Sequence, residues 1–292
     1  MGRFPEYPNF VPFSKDTKTE IMPLLQNLKD GISELTFYSL LIHTKKYNYR
    51  ITQTKSGAVL LLRKKDEKNY FIPINQFPLQ DETLQLNADG YFATLVSASI
   101  MKNLIDSAPE IASTLSKDRD NADYVYLKND LIELKGKAFH KKKNHLNAFI
   151  KKYSPSVELL TIQNVKDAKE VLEKWQKNHL NIQTDYETTK AALDLIGEAN
   201  FFGIIVYVQF EPIGFALGET MNDEITFCTH FEKGLEEFRG IYQYLNQILA
   251  VKLDEKIQFI NREQDLGDEG LRQSKMTYRP VKFIEKYCST LG

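Results

Sequence analysis

The sequence predicts an α+β fold with mixed sheets: two tandem domains, each a mixed, mainly antiparallel sheet flanked by helices. Three observations predict it. Stretches with apolar residues at helical spacing alternate with short β-rich runs bounded by turn residues. The order helix, helix, three strands, helix, strand occurs twice. The 292 residues, 42% of them hydrophobic, suffice for two ordinary cores.

In the first half, "SKDTKTEIMPLLQNLKD" and "SELTFYSLLIHTKK" read as helices, the second opened by Ser33. "YNYRITQT", "GAVLLLRKK" and "NYFIPINQF" follow as a three-strand meander, separated by polar turns. "DGYFATLVSASIMKNLIDSA" reads as a helix capped by Asp89, and "ADYVYL" as the strand it delivers. A meander followed by a crossover helix and a strand makes two parallel neighbours in an otherwise antiparallel sheet.

A basic helix at 135–153 closes this half. Pro155 keeps Ser154 out of helical geometry, which sets the predicted domains at 1–153 and 154–292. The second half then reads as strand "VELLTI", helices "VKDAKEVLEKWQKNH" and "DYETTKAALDLIGEA", and strands "FFGIIVYVQF", "PIGFALGET" and "EITFCTH". Helix "EEFRGIYQYLNQILAVKL", strand "KIQFINRE", a short helix near 267–275 and strand "VKFIEKY" complete it.

Composition narrows the partners. With 38 basic and 39 acidic side chains there is no global field for a polyanion, so any such ligand must meet a local patch. Two cysteines give no disulfide framework and no metal-ligand spacing, so no metal is expected and a reducing, cytoplasmic setting is. The longest apolar run, at 201–210, is far short of an integral membrane segment. The N-terminal stretch lacks a signal-peptide layout, and Glu6 does not suit myristoylation.

The local patch is "KGKAFHKKKNHLNAFIKKY", with seven lysines, two histidines and no acid. On a helical wheel Phe139, Leu146, Phe149, Ile150 and Tyr153 share one side, while Lys142 and Lys143 flank the seam. His140, Lys141, Asn144, His145, Asn147, Lys151 and Lys152 occupy the other side. Together with Lys137 these residues form a candidate phosphate or RNA-binding face. The competing reading is a solvated face whose lysine stems cover the apolar seam.

A second constellation lies at a strand end, where function gathers in open sheets. In "FINREQDLGDEGLRQSK", Arg262 is a candidate fork for a substrate carboxylate or phosphate, or else an internal partner of Asp265 or Glu263. Asp265 and Glu263 are candidates for proton removal, although a carboxylate beside Arg262 is a weak base and a water relay serves better. Asn261, Gly267, Gly270, Arg272 and Lys275 are candidate substrate-binding positions, the last two sharing a helix face. Tyr242 is a candidate proton donor to a leaving group, and His230 and Cys228 read as structural.

The element order is similar to that of GNAT-type N-acyltransferases. "YVYLKNDLIELKGKAFHKKKNHLNAFIKKY" and "FINREQDLGDEGLRQSKMTYRP" resemble signature segments of proteins related to the C-terminal domain of phosphatidylglycerol lysyltransferases. The resemblance implies a tandem GNAT-like pair, with aminoacyl-tRNA as donor in the members of known activity. The lipid-modifying members present their acceptor with a large membrane domain that this sequence does not contain, so a phosphatidylglycerol acceptor is not the expectation here.

Coenzyme A-using GNAT enzymes cradle pyrophosphate at a helix start, to which Arg239 and Gly240 correspond here. Glu232, Glu236 and Glu237 surround that turn and would repel it, so aminoacyl-tRNA is favoured over acyl-CoA as donor substrate. The expected activity is transfer of an activated acyl group, aminoacyl from tRNA, to an amine or hydroxyl of a small-molecule or peptide acceptor. The alternatives are a non-catalytic RNA- or nucleotide-binding module on the same scaffold, and an ordinary acetyl-CoA-dependent N-acetyltransferase.

Overall fold

A computed structural model describes residues 4–180 and 182–290. The chain divides into two compact units. One comprises Met1–Asp123, Gln264–Gly267 and Phe283–Gly292, the other Tyr124–Glu263 and Asp268–Lys282. The basic helix lies in the second of these units, where Phe139, Leu146 and Phe149 are buried in the core that also holds Tyr244, Leu245 and Leu249.

In the first unit, helices Lys18–Gln26 and Phe37–Tyr47 precede strands Arg50–Gln53, Val59–Lys65 and Lys68–Pro73, which form the expected antiparallel meander. The crossover helix is Gln80–Ala88, which the sequence pattern does not reveal. Only Leu86 of it is buried, so it carries little apolar periodicity. The Glu82 carboxylate holds its start, accepting from the Leu79 N–H, and Gly90 at φ 81° ends it.

The strand it delivers is Tyr91–Ala93, parallel to Lys68–Pro73. The segment read as one helix from 89 to 108 is thus two short strands, Tyr91–Ala93 and Val96–Ser97, and the helix Ala98–Ser107, capped by Ser97 and not by Asp89. "ADYVYL" is a strand, Asp123–Leu127, but it pairs in the second unit's sheet. A three-stranded sheet, Val96–Ser97 with Lys286–Ser289 and Leu115–Lys117, brings the end of the chain into the first unit. Fully buried Lys286 ties it there, 2.5 Å from Glu34 and 2.7 Å from Asp123. Burial works against charge on all three groups. The ammonium nevertheless holds Glu34 below the usual carboxylate range, whereas Asp123 stays raised.

The second unit repeats the order. Helices Val165–Lys177 and Tyr186–Asp194 precede strands Phe201–Val208, Glu211–Thr220 and Thr226–Gly234, then helix Ile241–Lys252 and strand Phe259–Asn261. Neighbours run Asp123–Leu127, Phe259–Asn261, Thr226–Gly234, Glu211–Thr220, Phe201–Val208, Ser156–Leu159. Thr226–Gly234 and Phe259–Asn261 pair in parallel, with Thr226 opposite Phe259 and Cys228 opposite Asn261. The fold is therefore mixed α/β with mixed, mainly antiparallel sheets. No helix among the described residues is long and apolar enough to cross a membrane.

Candidate functional site at the parting of two parallel strands

The parallel pairing stops at Cys228 and Asn261. Beyond it one strand continues to Gly234, while the chain after Asn261 turns away, with Glu263 at φ 56°. Such a parting of strands opens a crevice at the carboxyl end of a sheet. A bulge shapes the longer strand: Leu217 pairs with Phe231 but Gly218 with Thr229, leaving His230 as the extra residue. Gly218 is obligatory beside it, since a Cβ there would lie 1.9 Å from the Cys228 carbonyl oxygen.

Charged side chains bridge the parting. Arg262 Nη2 donates to Glu232 Oε2 at 2.6 Å, with both side chains mostly buried (15% and 14% exposed). The guanidinium also lies 5.1 Å from the Tyr278 ring and 5.9 Å from Tyr126. Burial opposes its charge, but Glu232 outweighs it, and the Arg262 pKa is raised. Burial likewise pushes Tyr278 up to about 12, against the lowering influence of Arg262. Glu232 in turn accepts from Asn246 Nδ2 at 2.9 Å.

Two residues earlier, His230 Nδ1 lies 2.7 Å from Glu263 Oε1, and Nε2 3.1 Å from Glu219 Oε1. The Cys228 sulfur is 3.7 Å from Nδ1. Burial would lower the His230 pKa, yet Cys228, Glu219 and Glu263 together raise it well above the ordinary value. Thr229, whose neighbours on the strand point to the opposite face, has a buried hydroxyl with no hydrogen-bond partner among the described residues.

Lys142, counted in the basic face, is tucked against this region. Its ammonium donates to Thr277 Oγ1 at 2.7 Å and sits 3.8 Å above the Tyr278 ring. Burial, then Arg262 and Lys141, push its pKa down to about 8.

The structure separates the residues grouped by sequence. Arg262 pairs with neither Asp265 nor Glu263 but with Glu232, from the far side of a helix crossover. Asp265 is fully buried in the first unit, where it accepts from Arg119 Nη1 at 3.2 Å and from the Gly267 N–H. Glu263 faces His230. Lys275 is buried and donates to the carbonyls of Arg262 and Glu263, at 2.6 and 3.1 Å, pinning the strand end and not reaching outward. Asn261 is fully buried and accepts from the Glu263 N–H. Gly270 is exposed, and Arg272 is half-buried on the helix Glu269–Met276.

The turn compared with a pyrophosphate cradle is occupied otherwise. Gly240, at φ 104°, faces the basic helix, where a Cβ would meet the His145 carbonyl oxygen and Phe149, each at 2.9 Å. Arg239 is exposed. The Tyr242 hydroxyl donates to the Gly234 carbonyl and accepts from Trp175 Nε1, and burial raises its pKa.

The basic helix runs His140–Tyr153 after a short 3-10 turn, Lys137–Phe139. Lys137, His140, Lys141, Lys143, Asn144, Asn147, Lys151 and Lys152 are exposed, and His145 is half-buried. Ile150, expected on the buried side, is 41% exposed. The first turn holds three lysines and a histidine and no acid, although the dipole there favours negative charge. Leu134, Lys135, Gly136, Lys137, His140 and Lys143 line an adjoining open depression of about 410 Å³.

Residues 25–290 match the family model of the phosphatidylglycerol lysyltransferase C-terminal domain, and the chain belongs to that family. A conserved protein of unknown function from Bacteroides thetaiotaomicron is similar over 95% of this chain and 97% of its own, with 25% identity and a TM-score of 0.80. L-PGS from Bacillus licheniformis shares the fold at 12% identity and a TM-score of 0.56, over 82% of this chain and 83% of that one. An uncharacterised protein of Mycoplasmoides gallisepticum is 27% identical over 177 residues, 57% of this chain. The match spans about half, 55%, of that protein's length.

The fold is thus that of an aminoacyl-transferase-like family. His230 and Glu232 escape a reading of the sequence as site residues because the strand carrying them is expected to end at His230. The partners that give them meaning, Glu263 and Arg262, lie more than thirty residues on or thirty.

Proposed function

We propose that this chain transfers an aminoacyl group from tRNA to an amine or hydroxyl acceptor at the parting of strands Thr226–Gly234 and Phe259–Asn261. The observation that carries this reading is the concentration of buried polar chemistry there: the Arg262–Glu232 pair and the unpartnered Thr229 hydroxyl. A sheet interior does not need such groups for stability, since a buried ion pair rarely stabilises more than an apolar pair of the same volume.

In the reaction, the acceptor's nitrogen or oxygen bonds to the carbonyl carbon of the aminoacyl ester and the ester bond to the ribose oxygen breaks. The acceptor's proton passes to that ribose oxygen through water. Arg262 has five N–H donors, and those not spent on Glu232 are available to a developing oxyanion. The exposed face of the basic helix supplies phosphate contacts for the tRNA. Family membership and the fold support the reaction class, while donor and acceptor identities rest on this electrostatic argument.

The test is label transfer. Total tRNA charged with labelled amino acids is incubated with the protein and a small-molecule and peptide extract. Label moving from tRNA into an acceptor, and slowed in Arg262→Lys, supports the proposal. Binding of tRNA without transfer favours the reading of a non-catalytic RNA-binding module, to which the placement of Arg262 beside two tyrosines also lends itself.

A further inference from the structure

Cys228, His230 and Glu263 place three ligand atoms of different chemistry within 4.8 Å of one another. The sulfur is 3.7 Å from His230 Nδ1 and 4.0 Å from Glu263 Oε1, and Nδ1 to Oε1 is 2.7 Å. We infer that this cluster is a binding site for a zinc-class divalent cation.

Four features carry the inference. First, the donors are a thiol, an imidazole and a carboxylate, a set that selects zinc over magnesium or calcium. Second, the spacing is close to what such an ion imposes. A tetrahedral zinc with sulfur at about 2.3 Å and nitrogen and oxygen at about 2.0 Å sets its ligand atoms about 3.3 to 3.6 Å apart. The observed triangle departs most at its short edge, by about 0.6 Å (3.3 less 2.7), within reach of a partly exposed glutamate.

Third, the other imidazole nitrogen faces Glu219 at 3.1 Å, the carboxylate partner that orients a metal-bound histidine and raises its basicity. Fourth, the backbone presents the ligands rigidly. Cys228 and His230 sit either side of Thr229 on one strand, His230 as the bulge residue, while Lys275 clamps the carbonyls of Arg262 and Glu263. Glu263 is the open side, 27% exposed against 1% for His230, from which a water would complete four-coordination.

Binding requires Cys228 as the thiolate and Nδ1 unprotonated, and any proton these atoms carry leaves to solvent as the ion binds. The inference stands apart from the transfer reaction, because it is tested on the protein alone.

The test uses the full chain, stripped with a chelator and titrated with Co²⁺ and then Zn²⁺. One equivalent of Co²⁺ should give a thiolate-to-cobalt charge-transfer band that Zn²⁺ abolishes. Cys228→Ser should lose the band and Cys288→Ser should keep it. Should Cys228→Ser fail to fold, Glu263→Gln serves, since this partly exposed residue can change without disturbing the core, and it should weaken Zn²⁺ binding about tenfold or more. A folded wild-type protein that shows no thiolate band overturns the inference. A band that survives Cys228→Ser, or Zn²⁺ affinity unchanged in Glu263→Gln, overturns it equally.

Discussion

Glu232 and Arg262 meet at 2.6 Å across the gap where two parallel strands part, one residue from each side. Neither is exposed enough for water to replace the other. Glu232→Ala should therefore destabilise the protein by about 3–5 kcal/mol, because it leaves a buried guanidinium unpaired. Arg262→Lys keeps the charge and should cost less stability. Urea unfolding of both variants measures the contrast, and equal losses would contradict the retained charge of lysine as the partner that keeps Glu232 satisfied.

Replacing the exposed Lys137, Lys141, Lys143, Lys151 and Lys152 by glutamine should leave the melting temperature unchanged and abolish tRNA binding. In single variants, the slope of log affinity against log salt should become shallower by about 0.7 to 0.9 wherever the replaced lysine neutralised a phosphate. A wild-type affinity insensitive to salt would reduce the helix to a solvated face.

Lys142 behaves differently from those five, because its pKa in the folded protein is about 8, below the ordinary 10.5. Between these values the unfolded chain holds a proton that the folded chain has released, so this group makes stability rise with pH across that window. The melting temperature of wild type relative to Lys142→Met should therefore increase from about pH 8 to about pH 10. A difference constant with pH would contradict the burial of this ammonium against Tyr278.

Gly240→Ala should destabilise by about 1–3 kcal/mol, from its left-handed backbone and the contact with the basic helix. The same crowding, with Glu236 and Glu237 beside it, should keep acetyl-coenzyme A binding weaker than about 100 μM. Calorimetry giving a micromolar constant would restore acetyl-coenzyme A as donor.

Much of this architecture was legible in local patterns. The doubled element order and both meanders follow from short apolar runs separated by turn residues, and the docking of Leu146 and Phe149 follows from helical spacing alone. The site was legible only in part. Arg262 stood out at a strand end, but its partner Glu232 reads as one of the acids of a turn, because "HFEKG" alternates too much charge to look like a strand. It is a strand because Arg262 and Asn246, distant in sequence, compensate Glu232, and Glu263 and Glu219 compensate His230. Helix Gln80–Ala88 escaped for the opposite reason: it buries one leucine, and its start is held by a single glutamate side chain.

The central claim is that acyl transfer occurs at the strand parting with Arg262 in contact with the reacting group. The most direct measurement is the rate of label transfer from charged tRNA by wild type and Arg262→Lys, each with its melting temperature. The account predicts transfer by wild type and a loss of about a hundredfold in the variant, as for removal of one oxyanion donor, at a melting temperature close to wild type. Transfer at the wild-type rate in a folded Arg262→Lys protein would contradict it.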